Sequence, residues 1–275
     1  MRQISYSVGA GLLAAAFGSG CLAYNEQCQG FVEKPGEVVG YTAETIYLDK
    51  PNARHDTNAI GQLEADAFVD AFASSERPAA FGVANGGAVR AEGLCVTRNI
   101  LAPGPMTNGL LHEILLFENL VKAVDVTEPE VLAMMEHSVE RLQPDGQAIN
   151  APAGQFLQVS ASVKLTVDCS KPAGGRVTSL KIGNDTLARP GNPAKRYRVA
   201  LTAFLLGGDG FDMLQGLDAN PDRDPVQAQR FGGTDANTAA DYMRRNYNAD
   251  PAKGLKRDTG RTTFVGCAKP PPPPS

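Results

Sequence analysis

Residues 81–90 read Phe81-Gly-Val-Ala-Asn85-Gly-Gly-Ala-Val-Arg90, a short apolar run that ends directly in a glycine pair. The apolar residues predict a strand over 81–84, and the Asn-Gly-Gly sequence predicts a turn at its end. Glycine lets a backbone approach a ligand because no Cβ stands in the way. The neighbouring Asn and Arg side chains suit a polar, partly anionic molecule. A glycine pair is more often a plain turn than a ligand-binding segment, so the rest of the chain has to distinguish the two.

Strand and helix periodicities are mixed along the chain. Apolar runs and alternation predict further strands over residues 38–42, 120–126, 157–168, 176–182 and 197–203. Helical spacing predicts helices over 60–72, 131–142 and 234–247, the second opened by the capping box Thr127-Glu-Pro-Glu130. The polar face of the first helix, which carries Gln62, Glu64, Asp66 and Asp70, is expected in solvent. Because strands and helices do not alternate as βαβ units, we predict an α+β fold of mixed sheets with packed helices.

The segment 143–154 is rich in Pro, Gly, Asn and Ala, which predicts a loop. It could serve as a lid or as a plain connector. Further along, Pro270 to Pro274 form a stiff end that we interpret as a spacer.

Composition limits the classes of partner. A chain of 275 residues, 43% of them hydrophobic, can bury a full core as one large domain or two small ones. Its 26 basic and 30 acidic residues give a net charge of -4, without a basic cluster. A phosphate backbone would not be neutralised by such a surface, so we expect no nucleic-acid polymer as a partner.

The first residues have the features of a secretory signal. One Arg precedes an apolar run from Val8 to Phe17, and small residues follow before Cys21. The run is too short to span a membrane. Cleavage after Ala23 would release a free chain, whereas cleavage before Cys21 would leave a lipid on that residue, which would be the chain's one membrane attachment. Either route predicts an exported protein that is periplasmic, bound to the cell envelope or secreted.

Four cysteines remain after the leader: Cys28, Cys95, Cys169 and Cys267. In an oxidising compartment an even number predicts two disulfides, and four cysteines allow three pairings between which the sequence does not choose. Buried free thiols are the alternative.

The histidines do not form a metal-binding motif. His55, His112 and His137 stand far apart, and neither Cys-x-x-Cys nor His-Glu-x-x-His occurs. We expect surface or capping roles for all three, and no nucleophile constellation is visible.

Four further motifs follow the Asn-Gly-Gly turn. They are Leu116-Phe-Glu-Asn119, Glu136-His-Ser-Val139 with Arg141, Phe156-Leu-Gln-Val159 and Gly207-Gly-Asp-Gly-Phe211. In this order and spacing, they resemble the C-terminal domain of the 5'-nucleotidase and UDP-sugar hydrolase family, from about Val38 to about Phe264. The resemblance implies the family's domain over 38–265. It follows the predicted leader (1–23, which could be a lipoprotein signal with Cys21) and a lead-in segment (24–37), and it precedes the proline-rich tail (266–275).

The resemblance implies a site for a nucleotide or nucleoside. Asn85, Gly86, Gly87 and Arg90 match the family's Asn-Gly-Gly motif, whose Asn and Arg contact the nucleoside and its phosphate. Arg54 matches a second arginine of a phosphate clamp. Paired guanidinium groups suit phosphate because each presents a planar fork of donors.

The base and the ribose would be held by later residues. Phe117 matches an aromatic that stacks on the base, and Asn119 lies where some members make a polar contact to it. Gly208 and Asp209 match the loop whose carboxylate accepts hydrogen bonds from the ribose hydroxyls.

The chain departs from the family at two points. The second stacking aromatic would stand at Ala203, whereas Phe204 comes one residue later; either a shorter loop lets Phe204 take that role, or the base is held on one face only. The family's N-terminal metal-ligand motifs also do not occur in these 275 residues. The resemblance therefore implies no cofactor and no catalytic residue in this chain, and divalent metals are expected only in a separate phosphoesterase domain.

Three functions fit these residues. The chain could bind nucleotides or nucleosides as the substrate-specificity half of a system for nucleotide catabolism, with the metals supplied by a separate metallophosphoesterase domain. It could be a true 5'-nucleotidase-type hydrolase whose metal domain is separate or missing from this sequence. It could also be an exported scaffold without a ligand. Whether the protein is an enzyme, like the phosphoric monoester hydrolases of the family, stays open at this point.

Overall fold

Two four-stranded sheets, two smaller sheets and five α-helices form the described part of the chain. The computed structural model describes residues 31–91, 99–207, 210–223 and 233–273. The predicted leader and the predictions made for Cys21, Cys28, Cys95, Gly208 and Asp209 lie outside these residues.

The strands are β1 (Val38–Thr42), β2 (Ile46–Tyr47), β3 (Phe81–Asn85), β4 (Ile100–Leu101), β5 (Gly104–Thr107), β6 (Val121–Thr127), β7 (Leu157–Val159), β8 (Val163–Asp168), β9 (Val177–Ile182), β10 (Asp185–Leu187), β11 (Arg196–Thr202) and β12 (Thr262–Val265). The helices are α1 (Lys50–His55), α2 (Ala59–Ala71), α3 (Asn108–Ile114), α4 (Glu128–Val139) and α5 (Asp235–Asn246). Parallel and antiparallel pairs share the larger sheets, and the helices pack on them without regular βαβ alternation, so the predicted α+β class is confirmed.

β3 lies inside the central sheet, whose order is β6-β11-β3-β7. It runs parallel to β11 and antiparallel to β7. All five of its residues are buried, which explains why its sequence is a continuous apolar run rather than an alternating one. The strand ends at Asn85, where the Asn-Gly-Gly turn begins at the edge of the sheet.

α2 packs between β3 and α5, and one face of it was predicted wrongly. The face expected in solvent is covered at Gln62, which is 2% exposed, and at Glu64, which is 0% exposed. Gln62 exchanges two hydrogen bonds with the backbone of Asp258. The period of a single helix cannot show that α5, a helix late in the chain, will cover its polar side.

The predicted strand 157–168 is two strands in two sheets. β7 pairs with β3 in the central sheet, whereas β8 pairs with β9 and β12 in the second sheet, whose order is β10-β9-β8-β12. The break is held by the two serines between them: Oγ of Ser160 accepts from the backbone N–H of Gly82, and Oγ of Ser162 donates to the carbonyl of Ala80. The alternation of apolar residues continues through the break, so it hid the change of sheet.

The helix caps follow the sequence signals. Thr127 and Glu130 form the predicted capping box, in which the Glu130 carboxylate accepts from the backbone N–H of Thr127 at 2.7 Å. Thr234 caps α5, and Asn58 caps α2 through the backbone N–H groups of Ile60 and Gly61. These caps fix where each helix enters the fold.

One disulfide joins Cys169, just after β8, to Cys267, just after β12. The backbone then continues as an extended segment against the loop before β7: Ala268 donates to the carbonyl of Gln143, and Asp145 donates to that of Gly266.

Within the described residues, no cluster of three His, Cys, Asp or Glu side chains could hold a metal ion. Over the same residues, every helix is too short or too polar to cross a membrane.

Candidate functional site

A cleft with a volume of about 330 Å³ opens where β3 ends. Its described lining consists of Arg54, Asn85, Gly87, Ala88, Arg90, Phe117, Asn119, Gly154 and Phe204. These residues come from five separate segments of the chain. Seven of them are residues that the sequence predicted as site residues.

The Asn-Gly-Gly segment is a tight turn that forms the floor of the cleft. The backbone N–H of Ala88 donates to the carbonyl of Asn85 at 2.9 Å, which closes the turn. A Cβ on Gly86 would lie 2.2 Å from the carbonyl oxygen of Ala53. Glycine is therefore required at that position by the close approach of α1. We had expected the pair to admit a ligand; at Gly86 the glycine instead admits the neighbouring helix.

Arg54 is brought to the cleft by α1. Asp49 caps this short helix through the backbone N–H of Asn52, and Pro51 lies in its first turn. The next residue, His55, is 3% exposed and accepts a hydrogen bond from the backbone N–H of Gln143 at 2.8 Å. Burial lowers the pKa of His55 to about 4, so the imidazole is neutral at ordinary pH. Of the surface or capping role expected for His55, the surface alternative is therefore wrong; the ring accepts a backbone N–H and anchors the helix beside Arg54.

The end of the 143–154 loop forms one wall of the cleft. Nη1 of Arg54 donates to the carbonyl of Pro152 at 3.2 Å. The carbonyl of Gly154 accepts from the backbone N–H of Gly87 at 2.9 Å, and that of Phe156 accepts from Gly86. These contacts tie the loop end to both of the segments that carry predicted phosphate-binding residues. Ala88 and Gly154 were not predicted as lining residues, because no side-chain chemistry marks them.

Arg90 and Phe117 are in direct contact across the cleft. The guanidinium carbon of Arg90 lies 4.7 Å from the centroid of the Phe117 ring. The ring itself is 44% exposed. Within the described residues, the buried Nε of Arg90 has no hydrogen-bond partner. An arginine with an unused buried donor beside an open cavity is suited to bind an anion.

The loop that carries Phe117 and Asn119 is held on both sides. Glu118 adopts a left-handed backbone with φ of 51°, and its carboxylate lies 2.7 Å from Nδ1 of His112. His112 is 5% exposed, so the surface alternative of its expected surface or capping role is also wrong. Asn119 donates through Nδ2 to Oδ2 of Asp235 at the start of α5, at 3.2 Å.

Phe204 is brought to the cleft by the turn that follows β11. A single 3-10 turn over Ala203–Leu206 follows β11, and the backbone N–H of Ala203 donates to the carbonyl of Leu120. Within this turn Leu205 and Leu206 are buried in the core, whereas Phe204 is 44% exposed and lines the cleft. The late aromatic thus reaches the cleft that also contains Phe117.

The described lining carries two cations, Arg54 and Arg90, and no carboxylate. This charge favours an anionic ligand, and the two exposed aromatic rings favour a planar one. The predicted roles of the lining residues stay predictions. Gly86 lies behind the turn, and Gly208 and Asp209, to which a ribose contact was assigned, lie outside the described residues.

Comparison with known proteins gives one family. Residues 38–216 match the model of the 5'-nucleotidase, C-terminal domain. An apyrase of Tabanus yao is 30% identical over 225 residues, which cover 77% of this chain and 36% of the apyrase. A trifunctional nucleotide phosphoesterase of Bacillus subtilis is 27% identical over 181 residues, which cover 64% of this chain and 11% of that protein.

Solved structures have the same fold. A 5'-nucleotidase precursor of Thermus thermophilus superposes with a TM-score of 0.62 at 24% identity and covers 83% of this chain and 39% of its own. The NAD nucleotidase of Haemophilus influenzae gives 0.60 at 17% identity, covering 86% and 39%. At these identities the similarity shows the fold alone. The chain spans well under half the length of each of these proteins.

Proposed function

The chain belongs to the family of 5'-nucleotidase C-terminal domains, and from this premise we propose that it is an exported nucleotide- or nucleoside-binding chain. It would act as the substrate-specificity half of a nucleotide-degrading system. The observation that carries the proposal is the composition of the cleft, which combines two arginines, two exposed aromatic rings and two amides in about 330 Å³. That volume falls in the range of small-molecule sites.

The phosphate and the base of a nucleotide have candidate partners in the described lining of this cleft, and the sequence supplies a candidate for the ribose. Arg54 and Arg90 would bind the phosphate, because guanidinium groups offer paired donors to its oxygens. Phe117 and Phe204 would stack on the base, and Asn119 would contact its edge. Asp209 remains the candidate for the ribose hydroxyls.

Hydrolysis would need groups from elsewhere. In-line attack on phosphorus requires an activated water and stabilisation of developing charge, for which the two metals of a phosphoesterase domain are the expected source. The apyrase and nucleotide phosphoesterase relatives are much longer than this chain. We therefore propose that the metals, and with them the catalytic step, belong to a separate metallophosphoesterase domain that works on the nucleotide held here.

Isothermal titration of the purified chain with AMP, adenosine and inorganic phosphate, with and without Mn²⁺, tests the proposal. We expect AMP to bind more tightly than adenosine and Mn²⁺ to have no effect. Arg90→Ala should remove most of the advantage of AMP, a loss of about tenfold or more for a charged hydrogen bond. Arg245→Ala is the matched control, because it removes the same charge from an exposed ion pair on α5. If neither AMP, adenosine nor inorganic phosphate binds at high concentration, the cleft is not a nucleotide-binding site and the scaffold alternative is favoured.

A second candidate is that the chain is part of a true 5'-nucleotidase-type hydrolase, favoured by the names of its relatives. Mass spectrometry of the natural protein would separate the two. A mature protein that starts near Cys21 or Tyr24 and carries no further domain would leave only a separate partner chain as the source of catalysis. A longer mature protein would make the chain one half of a single enzyme.

A further inference from the structure

Asn119 and Asp235 are joined by two hydrogen bonds that run in opposite directions. Nδ2 of Asn119 donates to Oδ2 of Asp235 at 3.2 Å. The backbone N–H of Asp235 donates to the carbonyl of Asn119 at 2.8 Å. The second carboxylate oxygen, Oδ1, accepts from the backbone N–H of Ala236 at 2.8 Å. Asp235 is 1% exposed, so both of its oxygens are committed inside the protein.

These contacts decide which end of the Asn119 amide is left for the cleft. An ionised carboxylate can only accept hydrogen bonds, so the amide must turn its NH₂ group towards Asp235. Burial raises the pKa of Asp235 to about 6, and the carboxylate is therefore ionised at higher pH. Oδ1 of Asn119 then points away from Asp235, and within the described residues no hydrogen bond is made to it. Asn119 is a lining residue of the cleft, so its Oδ1, which accepts no hydrogen bond from the described residues, is the end of the amide that is available to a ligand.

The amide has little freedom to turn over. Its neighbour Glu118 is fixed in a left-handed backbone and held by His112. Reversal of the amide would place two acceptors, Oδ1 of Asn119 and Oδ2 of Asp235, at hydrogen-bond distance. A buried pair of acceptors without a proton between them is strongly unfavourable.

We propose that Asp235 is a specificity-determining residue that fixes the Asn119 amide so that the cleft selects bases with an exocyclic amino group. The inference rests on the proposed nucleotide-binding function and adds the class of base to it. Adenine and cytosine present an N–H₂ donor on the base edge, where hypoxanthine and uracil present a carbonyl acceptor. An amino group donates to Oδ1 of Asn119, whereas a carbonyl would meet it acceptor to acceptor. Asp235 acts through Asn119 and does not itself need to touch the ligand.

The wild-type chain provides the first test. Affinities for AMP and IMP, and for CMP and UMP, are measured by titration at about pH 8, where Asp235 is ionised. We expect each amino base to bind about tenfold or more tightly than its oxo counterpart, as for one lost hydrogen bond that leaves a buried acceptor unpaired. No substitution is involved, so this test does not depend on the folding of a variant.

Asp235→Asn is the sharper test, because it should change the ratio of AMP to IMP affinity in a defined direction. The buried N–H of Ala236 still needs an acceptor, so the new side chain should keep its oxygen there and turn its NH₂ group towards Asn119. The Asn119 amide would then turn over and present its NH₂ group to the cleft. We expect the AMP preference to collapse or reverse towards IMP, while binding of inorganic phosphate is unchanged. Asp241→Asn, on the exposed face of the same helix, is the matched control and should behave as the wild type.

Each outcome has a meaning. If the wild type binds AMP and IMP equally, or if Asp235→Asn weakens both by the same factor, the inference is overturned while the proposed function stands. If no nucleotide binds to the wild type, the proposed function fails and the inference with it. If the ratio of AMP to IMP affinity changes in Asp235→Asn and not in Asp241→Asn, the result supports the role of Asp235 in base selection. A merely structural defect would weaken the binding of both nucleotides alike.

Discussion

The guanidinium carbon of Arg90 lies 4.7 Å from the centroid of the Phe117 ring, so the residue expected to bind phosphate rests on the residue expected to stack on the base. A cation over a ring is attracted by the ring quadrupole, by about 0.5–1 kcal/mol at an exposed site. One face of the ring cannot hold a guanidinium group and a base together. A base that stacks on Phe117 would therefore displace Arg90 or use the other face of the ring, and only displacement would link the phosphate side of the cleft to the base side.

The first prediction concerns this contact in the free protein. A double-mutant cycle of Arg90→Ala and Phe117→Ala, measured by urea unfolding, should give a coupling free energy of about 0.5–1 kcal/mol. The pair Arg245→Ala and Phe117→Ala should be additive, since Arg245 is engaged elsewhere with Asp70. Additivity of the Arg90 cycle would mean that the contact contributes nothing to the fold.

The second prediction concerns Phe204. If it closes the second face of the base, Phe204→Leu should weaken AMP and adenosine equally, by about 1–3 kcal/mol, because both carry the same base. Arg90→Ala, in contrast, should weaken AMP much more than adenosine, because only AMP carries the phosphate. Phe31→Leu removes a ring that is 74% exposed and lies outside the cleft lining, and it should leave both affinities unchanged. Unchanged binding in Phe204→Leu would show that the base is held on one face.

The sequence predicts the chemistry of the cleft better than the packing around it. The Asn-Gly-Gly turn and Arg90 are predicted from a turn signal and a cation beside it, whereas Arg54, Phe117 and Asn119 are predicted because the order and spacing of the motifs resemble a family; none of these signals is specific by itself. Their assembly into one cleft depends on α1, β3 and the loop after α3 meeting in space. The fold determines that these elements pack around one cleft, and no single sequence motif predicts this packing.

The wrong expectations have one common cause, which is that neighbours distant in sequence decide burial. Glu64 lies on the polar face of a regular amphipathic pattern, yet α5 covers it. Alternation continues through Ser160 and Ser162, yet the strand changes sheet there. His55 is a polar residue with no motif, and it is buried where the backbone N–H of Gln143, 88 residues later, donates to it. His112 is the exception: its partner Glu118 is only six residues away, and its buried Nε2 has no hydrogen-bond partner among the described residues.

The third prediction concerns the disulfide between Cys169 and Cys267. It closes a loop of 98 residues, so removing it should cost about 2–5 kcal/mol of unfolding free energy. Cys169→Ser/Cys267→Ser, compared with the oxidised wild type by guanidinium unfolding, provides the measurement. We also expect weaker discrimination of AMP from adenosine, because the segment after Cys267 bonds to Gln143 and, at Pro271, to Asn52 of the helix that carries Arg54. A loss of unfolding free energy well below that range would mean that the hydrogen bonds of the segment after Cys267 hold it in place without the disulfide.

The fourth prediction is a pH dependence of base selection. The pKa of Asp235 is raised to about 6 by burial, while the N–H of Ala236 and the Asn119 amide oppose the rise and the nearby Glu118 adds to it. Protonation below that pH turns the carboxyl group into a donor as well as an acceptor, so the Asn119 amide can turn over. The ratio of AMP to IMP affinity should fall as the pH drops through about 6. The ratio in Asp235→Asn should stay flat across the same range, which separates Asp235 from every other titrating group.

The last prediction concerns Glu64, which is fully buried against α5. Neither carboxylate oxygen has a hydrogen-bond partner among the described residues. Burial, with a smaller contribution from the nearby Asp235, raises the pKa of Glu64 well above its usual value. The folded protein therefore holds a proton on Glu64 at pH values at which the unfolded chain has released it.

The sign of the resulting effect on stability follows from this proton. A carboxyl group with a raised folded-state pKa supports folding below its unfolded pKa and loses that contribution as the pH rises towards the folded pKa, by about 1.4 kcal/mol per pH unit. Glu64→Gln keeps the shape of the side chain but replaces the carboxyl group with an amide that does not titrate. The free energy of unfolding of the variant should therefore rise relative to that of the wild type as the pH is raised from about 5 to about 8. Asp235 contributes to the slope that remains with the same sign, and His55, whose folded-state pKa is lowered to about 4, contributes with the opposite sign. Glu76→Gln, an exposed carboxylate after the same helix, should follow the wild type at every pH. Thermal unfolding across this pH range would measure the difference, and parallel curves for Glu64→Gln and the wild type would show that the buried carboxyl group is ionised at the same pH in both states.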